Sequence, residues 1–288
     1  YMWVENTSLG SLGFQSIASS DDGSKLIMCE SSGMNSTAYL YTSTDSGYTW
    51  TQRGFASDWR CVASSSDGTK LVACQASGYI YTSTDSGVNW SQSESISGGW
   101  IAITSSSDGS KLAACLDNGL IYTSTNSGVN WTGESNSGSR YWRSIASSSN
   151  GSILVACVHS GYIYVSSDSG ANWTQRSVSR VWYSVACSAD GTKMIAAINS
   201  GKTFYSIDSG VNWVSSPDTT VRSWQCVVLS DSGTVALGCS SYDGLYTATY
   251  TSVWSSWTRV VNDVLKNWIS VCMSKVAQTR GYKMNAVV

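Results

Sequence analysis

Short apolar segments alternate with turn residues along the whole chain. Examples are W-R-C-V-A at 59–63, K-L-V-A-C at 70–74 and G-Y-I-Y-T at 78–82. Segments this short, rich in β-branched and aromatic residues, predict β-strands rather than helices. Gly and Asn readily adopt the positive φ of a tight turn. Antiparallel hairpins are therefore predicted where these residues separate two apolar segments, at Asp67-Gly68, Asp108-Gly109, Asn150-Gly151 and Asp190-Gly191.

The strand pattern repeats, and the repeat predicts the architecture. A unit of four strands recurs roughly every 40 residues, a period typical of a propeller blade. A single blade cannot bury both of its faces and must stack on its neighbours in a ring. We therefore predict one all-β domain over residues 1–288, a seven-bladed β-propeller of four-stranded antiparallel blades. The blades start near aromatic residues, at Phe14, Trp59, Trp100, Trp142, Trp182, Trp224 and Trp268.

The most regular phrase of the repeat is S-x-D-x-G-x-x-W, here called the box. It resembles the Asp-box of the BNR-repeat β-propellers, which include sialidases, sortilin-type receptors, xyloglucanases and photosystem II assembly factors. The resemblance covers nearly the whole chain and implies the fold, whereas the chemistry differs among these relatives. It also implies that the box forms the turn between the third and fourth strands, with its Asp bonded to backbone N–H groups and its Trp packed between blades. These scaffold residues are Asp45, Trp50, Asp85, Trp90, Asn126, Trp131, Asp168, Trp173, Asp208 and Trp213.

The two ends of the chain fit one blade together. Tyr1-Met2-Trp3 aligns with the end of a box, and residues 283–287 align with a second strand. We expect the N-terminal strand to complete the last blade, which removes free sheet edges. The segment that would supply a third strand there is missing from the sequence. The last blade therefore has three strands, or the chain continues past Val288.

Composition narrows the class of protein. The chain is 42% hydrophobic with a net charge of -2, and no apolar run approaches the length that spans a bilayer. These values give no indication of nucleic-acid binding or membrane insertion. Only 12% of residues are charged, and Ser, Thr, Gly and Asn fill the turns, which favours an extracellular or cell-surface location. An intracellular reducing compartment stays open as the alternative, because no targeting segment can be read.

The nine cysteines predict mainly core packing. Five of them share the position that ends the second strand, where Ala197 also occurs, and a position that accepts Cys or Ala is a small apolar site. Two cross-strand disulfides stay open, Cys61 with Cys74 and Cys226 with Cys239, if two-residue turns set the strand register. A three-residue loop with a glycine bulge is the favoured alternative, and it places the thiols on opposite faces. With His159 as the single histidine, neither a metal site nor another cofactor is predicted.

Several sequence motifs match acceptors for glycans. Trp254 begins a W-x-x-W match to a C-mannosylation acceptor. N-glycosylation sequons arise by chance in a chain rich in Ser and Thr, so a structural role for these Asn residues is the alternative. The sequons begin at Asn6, Asn35, Asn89, Asn130, Asn150 and Asn172.

Catalysis is not expected. A sialidase-like site would need an arginine cluster with a Tyr/Glu nucleophile pair, and the F/Y-R-I-P phrase of that family is absent. The acids outside the turns form no recognisable pair in sequence, although pairing in space stays open. No Ser-His-Asp grouping or phosphate-binding loop occurs.

Binding is expected where the repeats differ, beside the aromatic that starts each blade. The connection into the innermost strand lies at one mouth of a propeller channel. A ring of guanidinium groups with aromatics there suits an acidic sugar, a carboxylate terminus or an acidic partner, and ordinary solvated loop charges are the alternative. The candidate binding residues are Arg60, Arg140, Tyr141, Arg143, Arg180, Tyr183 and Arg222.

Three functions fit this sequence. The first is a non-catalytic extracellular scaffold, such as a glycosylated repeat unit of a filament or surface layer, whose partners are copies of itself or other subunits. Low net charge permits that close association. The alternatives are a lectin-like propeller that binds glycans and a partner-binding propeller that resembles the photosystem II assembly factors. The sequence analysis favours the scaffold.

Overall fold

The computed structural model describes residues 13–30, 38–241, 243–260 and 269–273, with the backbone of 261 and 284–287. Each blade is an antiparallel sheet whose strands follow chain order. The first three blades comprise β1 (Phe14–Ser19), β2 (Leu26–Glu30), β3 (Ala38–Ser43) and β4 (Thr51–Ser57); β5 (Trp59–Ser64), β6 (Leu71–Gln75), β7 (Ile80–Ser83) and β8 (Ser91–Gln92); and β9 (Trp100–Ser105), β10 (Leu112–Leu116), β11 (Ile121–Ser124) and β12 (Thr132–Glu134).

The next three blades follow the same plan, after a single 3-10 turn at Ser135–Ser137. They comprise β13 (Trp142–Ser147), β14 (Leu154–Val158), β15 (Gly161–Ser166) and β16 (Thr174–Arg180); β17 (Trp182–Cys187), β18 (Met194–Ile198), β19 (Thr203–Ser206) and β20 (Val214–Ser215); and β21 (Trp224–Leu229), β22 (Val235–Ser240), β23 (Gly244–Thr249) and β24 (Thr258–Val261). A seventh sheet pairs β25 (Ser270–Met273) with β26 (Met284–Val287). Within the described residues, no helix is long and apolar enough to cross a membrane.

The first strands of successive blades form an inner ring. Each contacts the first strand of the next blade, and β25 contacts both β21 and β1, so the ring closes. The predicted all-β propeller is confirmed, with six four-stranded blades and a two-stranded sheet in the seventh position of the described chain. The predicted closing strand at the N-terminus, the blade start at Trp268 and the sequons at Asn6 and Asn35 lie outside the described residues.

The hydrophobic core consists of layers between blades. Between the second and third blades, Cys74 and Ile80 on one side pack against Trp100 and Leu112 on the other. The tryptophans that start blades two to six are each 2% exposed or less. Burying side chains of this size contributes roughly 2–3 kcal/mol each. Because the core lies between blades, no blade has a complete core of its own.

The hairpins between first and second strands, together with the boxes, form one rim of the ring, here called the box rim. Consecutive hairpins are linked by backbone hydrogen bonds of 2.7–2.9 Å that pass from blade to blade. Gly68 shows why this hairpin needs glycine, since its φ is +66° and a Cβ there would lie 2.8 Å from Lys25 of the preceding blade. The linked residues run from Asp21 through Ser66, Ser107, Ser149 and Ala189 to Asp231.

Each box uses its acidic residue within its own turn. Asp85 accepts hydrogen bonds from the Asn89 backbone N–H at 2.9 Å and from the Ser83 hydroxyl at 2.8 Å. Asp45, Asp168 and Asp208 accept the matching bonds from their own turns. These donors lower the pKa of Asp85 to about 2. In the fifth copy Asn126 accepts the same backbone N–H, at 3.0 Å, so an uncharged amide can also organise the turn.

The box tryptophans lie at the interfaces between blades. Trp90 packs with Trp59, with ring centroids 6.5 Å apart, in the cluster formed by the first and second blades. Trp131 and Trp173 pack in the same way on Trp100 and Trp142. Trp50 and Trp213 contact the corresponding clusters of their own blades.

The hairpin register decides which cysteines face each other. Ser65 donates its N–H to the Lys70 carbonyl at 2.9 Å across a four-residue loop. This loop sets the same register as a two-residue turn, so Cys61 lies opposite Cys74 and Cys226 lies opposite Cys239. The favoured bulged three-residue loop is therefore wrong. All nine cysteines are thiols in this structure, and the disulfides stay predictions.

Candidate functional site

The rim opposite the box rim carries the connections that lead into each first strand and is here called the connection rim. Antiparallel strand order brings the hairpins between second and third strands to the same rim. Backbone hydrogen bonds join the two sets, for example from Ala76 to Asp58 and from His159 to Tyr141, both at 2.8 Å. The sequence varies most here, so this rim is where one blade can differ from another.

A β-bulge occurs where each of the first six inner strands begins. In blade four, Trp142 pairs with Val158 while Ser144 pairs with Cys157, which leaves Arg143 as the extra residue. A bulge bends the strand and re-aims the side chain of the unpaired residue. The extra residues are Gln15, Arg60, Ile101, Arg143, Tyr183 and Gln225.

Two bulge residues from neighbouring blades contact each other. The Arg143 guanidinium carbon lies 3.9 Å from the centroid of the Tyr183 ring. Because a cation over an aromatic face is attracted by the ring quadrupole, this pair holds a positive charge in a fixed place between blades four and five. The sequence predicted both residues at the channel mouth, and the structure brings them together.

Arginines two residues before the starting tryptophan occupy a different place. Arg140 lies over Tyr164 at 4.5 Å, Arg180 over Phe204 at 4.7 Å and Arg222 over Tyr246 at 4.4 Å. Each aromatic belongs to the third strand of the same blade, and Arg140 and Arg222 also lie over their own starting tryptophans at 6.0 and 5.6 Å. These arginines therefore contact rings of their own blade, whereas Arg143 contacts a ring of the next blade. The predicted binding at the channel mouth stays a prediction.

Arg222 is held in an ion network. Its Nη1 lies 2.7 Å from Asp218 Oδ2, and both side chains are about nine-tenths buried. Asp243 approaches Arg222 at 3.8 Å and Arg259 at 3.4 Å. Burial opposes ionisation of Asp218, but the Thr220 N–H and the Arg222 guanidinium lower its pKa. Arg222 is therefore neutralised from within the chain.

The remaining candidates all belong to the connection rim of blades four and five and are here called the basic sector: Arg140, Tyr141, Arg143, Arg180 and Tyr183. Tyr141 is 58% exposed, and Val181, at the same repeat position in the next blade, is 40% exposed. Within the described residues the ion pairs involve Arg222 and Arg259, and no carboxylate pairs with Arg143 or Arg180. Arg60 lies apart from this sector, at the bulge of blade two.

The sequence analysis did not name two residues of the connection rim as site residues. Phe55 packs edge-on against Tyr81, with ring centroids 5.1 Å apart, and at a tilt against Trp59 at 5.3 Å. It places an aromatic in blade two where Arg140 lies over Tyr164 in blade four. Asp243 approaches Arg222 although the two residues are 21 positions apart. A repeat alignment of the residues before each starting tryptophan could have drawn attention to Phe55, whereas no local pattern pointed to Asp243.

The described residues contain no grouping of three metal-ligating side chains. Asp218 and Asp243, which the sequence could not pair, flank Arg222 in space. A glycosidase requires one carboxyl group kept protonated by a raised pKa. Each Asp in the described chain whose pKa is shifted has it lowered, as in Asp218 and Asp67.

The predicted modification residues are placed as follows. Asn89, Asn130, Asn150 and Asn172 are exposed. The amide groups of Asn89 and Asn172 donate to their box carboxylates at 2.7 and 2.8 Å, and Asn150 Oδ1 accepts the Ser152 N–H of its hairpin at 2.9 Å. Trp254 is 4% exposed and packs on Tyr205 and Tyr250. Modification of these residues stays a prediction.

The sequence matches no protein-family model and no curated protein. Similar solved structures are β-propellers. YCF48 from Cyanidioschyzon merolae is 16% identical with a TM-score of 0.69, over 96% of this chain and 93% of that chain.

Two further structures are similar to this chain. YCF48 bound to D1 peptide is 17% identical with a TM-score of 0.68, over 91% of this chain and 87% of that chain. An ancestral GH74 enzyme is 14% identical with a TM-score of 0.74, over 96% of this chain and 43% of that chain. At these identities the similarity establishes the fold but not the function.

Proposed function

We propose that the protein is a partner-binding propeller that holds an acidic, partly apolar segment of another protein on the basic sector. The observation that carries the proposal is the pair formed by Arg143 and Tyr183, a guanidinium fixed over an aromatic ring between two blades. Neither Arg143 nor Arg180 has a carboxylate partner in the described chain. A partner carboxylate would supply the missing charge, and guanidinium groups bind carboxylates in bidentate geometry.

The apolar part of the proposed ligand follows from the same surface. Tyr141 and Val181 are exposed beside these arginines. Aromatic and arginine side chains are enriched where proteins bind each other, because they combine apolar area with directed hydrogen bonds. A sugar would use the charges and Tyr141, but it would leave the exposed Val181 without an apolar partner.

The structural similarity supports this function over the extracellular scaffold that the sequence analysis favoured, since one similar propeller is described as bound to a peptide. The scaffold, the lectin and the extracellular location stay predictions. The proposed function is non-catalytic.

The test measures binding of a fluorescent synthetic peptide that carries Asp and Glu beside Phe and Leu and ends in a free carboxylate. Fluorescence anisotropy is read for the wild type and for the double variant Arg143→Ala with Arg180→Ala. We expect at least a roughly tenfold weaker affinity, because each charged hydrogen bond contributes about 1.5–3 kcal/mol. Affinity should also fall as salt is added.

The matched control is the double variant Arg53→Ala with Arg176→Ala, which removes the same two charges from the outer strands β4 and β16. It should bind as the wild type does. Equal affinity in the double variant and the wild type would contradict the proposal. Selective binding to immobilised acidic sugars that is lost in the same double variant would show that the site binds glycans, as the lectin alternative predicts.

A further inference from the structure

Blade two contains two thiols that face each other across the inner pair of strands. Cys61 on β5 lies opposite Cys74 on β6, and both belong to the apolar cluster between blades two and three. Ser65 donates its N–H to the Lys70 carbonyl, so these two residues form a hydrogen-bonded pair of the antiparallel ladder. Hydrogen-bonded and non-hydrogen-bonded pairs alternate along the ladder, so Cys61 and Cys74 also form a hydrogen-bonded pair. Such pairs have Cα atoms about 5.5 Å apart, within the range of roughly 4.4–6.8 Å that disulfides span.

The two thiols have different environments. Cys74 is fully buried, whereas Cys61 is only partly buried on the inner strand. Hydrogen bonding with the facing Cys74 thiol lowers the pKa of Cys61, although burial opposes this shift. The Ser16 hydroxyl, 3.7 Å from the Cys61 sulfur, and Arg60 lower the pKa further. Burial and the same contact raise the pKa of Cys74. Cys61 is thus the more acidic thiol and belongs to the less buried of the two residues, and a thiol of lowered pKa is the nucleophile in disulfide exchange.

The other blades provide internal comparisons. Cys29, Cys115 and Cys157 occupy the same position as Cys74, but they face Ser16, Ala102 and Ser144. Blade six repeats the pair as Cys226 and Cys239. There the Cys226 sulfur lies 3.9 Å from the Val271 carbonyl oxygen of the next blade. The Cys61 sulfur likewise lies 3.7 Å from the Ser16 hydroxyl of the preceding blade. Within the described residues, blades two and six therefore place two cysteines opposite each other, and they differ in that the pKa of Cys61 is lowered while that of Cys226 is raised.

We propose that Cys61 and Cys74 form a redox-active dithiol that small-molecule disulfides, such as oxidised glutathione, convert into a cross-strand disulfide. The Cys61 thiolate attacks one glutathione sulfur, forms a mixed disulfide and expels a thiolate, which takes up a proton. The Cys74 thiol then loses its proton, and its sulfur attacks the Cys61 sulfur and expels the second glutathione. Two protein thiols are oxidised, and one disulfide is reduced to two thiols.

The test exposes the full chain to glutathione buffers of increasing oxidised fraction, followed by acid quenching, alkylation and tryptic mass mapping. Trypsin cuts after Arg60, Lys70 and Lys111, so Cys61 and Cys74 fall in separate peptides that only a bridge can join. Cys226 and Cys239 share the peptide 223–259, so a bridge there appears as loss of two hydrogens from one peptide. The two pairs are therefore read separately in one experiment.

We expect the bridge between Cys61 and Cys74 to form at a lower oxidised fraction than the bridge between Cys226 and Cys239. Cys74→Ala should leave a mixed glutathione disulfide on Cys61, and Cys61→Ser should leave Cys74 reduced. Both replacements already occur at the equivalent positions of blade five, as Ala197 and Ser184, and their thermal unfolding midpoints serve as the folding control. Cys115→Ala removes a buried thiol and should leave the bridge unchanged.

Two results would overturn the proposal. One is that Cys61 stays fully alkylated in the most oxidising buffer. The other is that blade six forms its bridge at the same or a lower oxidised fraction. As a second measurement, iodoacetamide should modify Cys61 first among the nine thiols, and Cys74→Ala should slow that modification because the donating thiol is lost.

Discussion

The two rims of the ring are built from the same repeat, yet they differ in what their side chains contact. On the box rim, the Asp or Asn of each described box accepts hydrogen bonds within its own turn, and backbone hydrogen bonds link consecutive hairpins from blade to blade. On the connection rim, Arg143 and Arg180 lie over aromatic rings without a carboxylate partner in the described residues. A polar group that is already bonded builds a scaffold, and one that is positioned but unneutralised can bind a ligand.

Arg222 shows that this difference can also occur within one rim. It occupies the same repeat position as Arg140 and Arg180 and stacks on the same kind of ring. Asp218 and Asp243 neutralise it. Position in the repeat therefore fixes where an arginine lies, while residues supplied by its own blade decide whether its charge is free for a partner.

The largest expected effect on the free energy of unfolding distinguishes two adjacent residues of the connection rim. Trp142 is 1% exposed and Tyr141 is 58% exposed. Trp142→Ala should lower the free energy of unfolding by about 3–5 kcal/mol, because a large cavity would open between blades. Tyr141→Ala should change it by no more than about 0.5 kcal/mol. Urea denaturation measures both, and similar losses would contradict the assignment of Trp142 to the core.

A smaller effect on the free energy of unfolding is expected from substituting glycines on the two rims. Gly68 on the box rim has a φ of +66° and would place a Cβ 2.8 Å from Lys25, whereas Gly99 on the connection rim would meet only the Ala76 carbonyl at 3.5 Å. Gly68→Ala should cost roughly 1–3 kcal/mol through backbone strain and crowding. Gly99→Ala should be nearly neutral or slightly stabilising. A Gly68 variant as stable as the wild type would show that the hairpin ring tolerates a Cβ.

The smallest expected effect is a loss of stability at acidic pH through the carboxyl group of Asp108. Hydrogen bonds from Ser106 and Ser110 lower the pKa of Asp108 to about 2, below the value of about 3.9 expected for an unfolded chain. Its carboxylate therefore contributes stability that is present above about pH 4 and is lost as the pH falls towards 2. Asn150 occupies this position in blade four, so Asp108→Asn should fold.

The measurement is the difference in thermal unfolding midpoint between wild type and Asp108→Asn across this pH range. The difference should be largest near neutral pH and should shrink by about pH 2, as the wild-type carboxyl group becomes protonated. A difference that does not change with pH would mean that the carboxylate charge contributes nothing to the hairpin.

Much of the scaffold could be predicted because its determinants are local. The Gly in each hairpin, the Asp or Asn in each box and the aromatic at each blade start belong to short repeated phrases, and each is recognisable from its own turn or strand. The hairpin register was harder, since two-residue and four-residue loops give the same pairing while a three-residue loop shifts it by one. That shift decided whether Cys61 faces Cys74.

The sequence by itself determined the propeller, the number and length of its repeats, and the residues that vary among them. Only the tertiary structure decided which variable residues act together. Arg143 meets Tyr183 because bulges on two different blades aim their side chains at one place. The charge of Arg222 is neutralised by acids that lie on either side of it along the chain. Local patterns specify turns and strands through short-range sterics and hydrogen bonds. Neutralised charge and stacked rings depend on distances between blades, which exist only once the ring has closed.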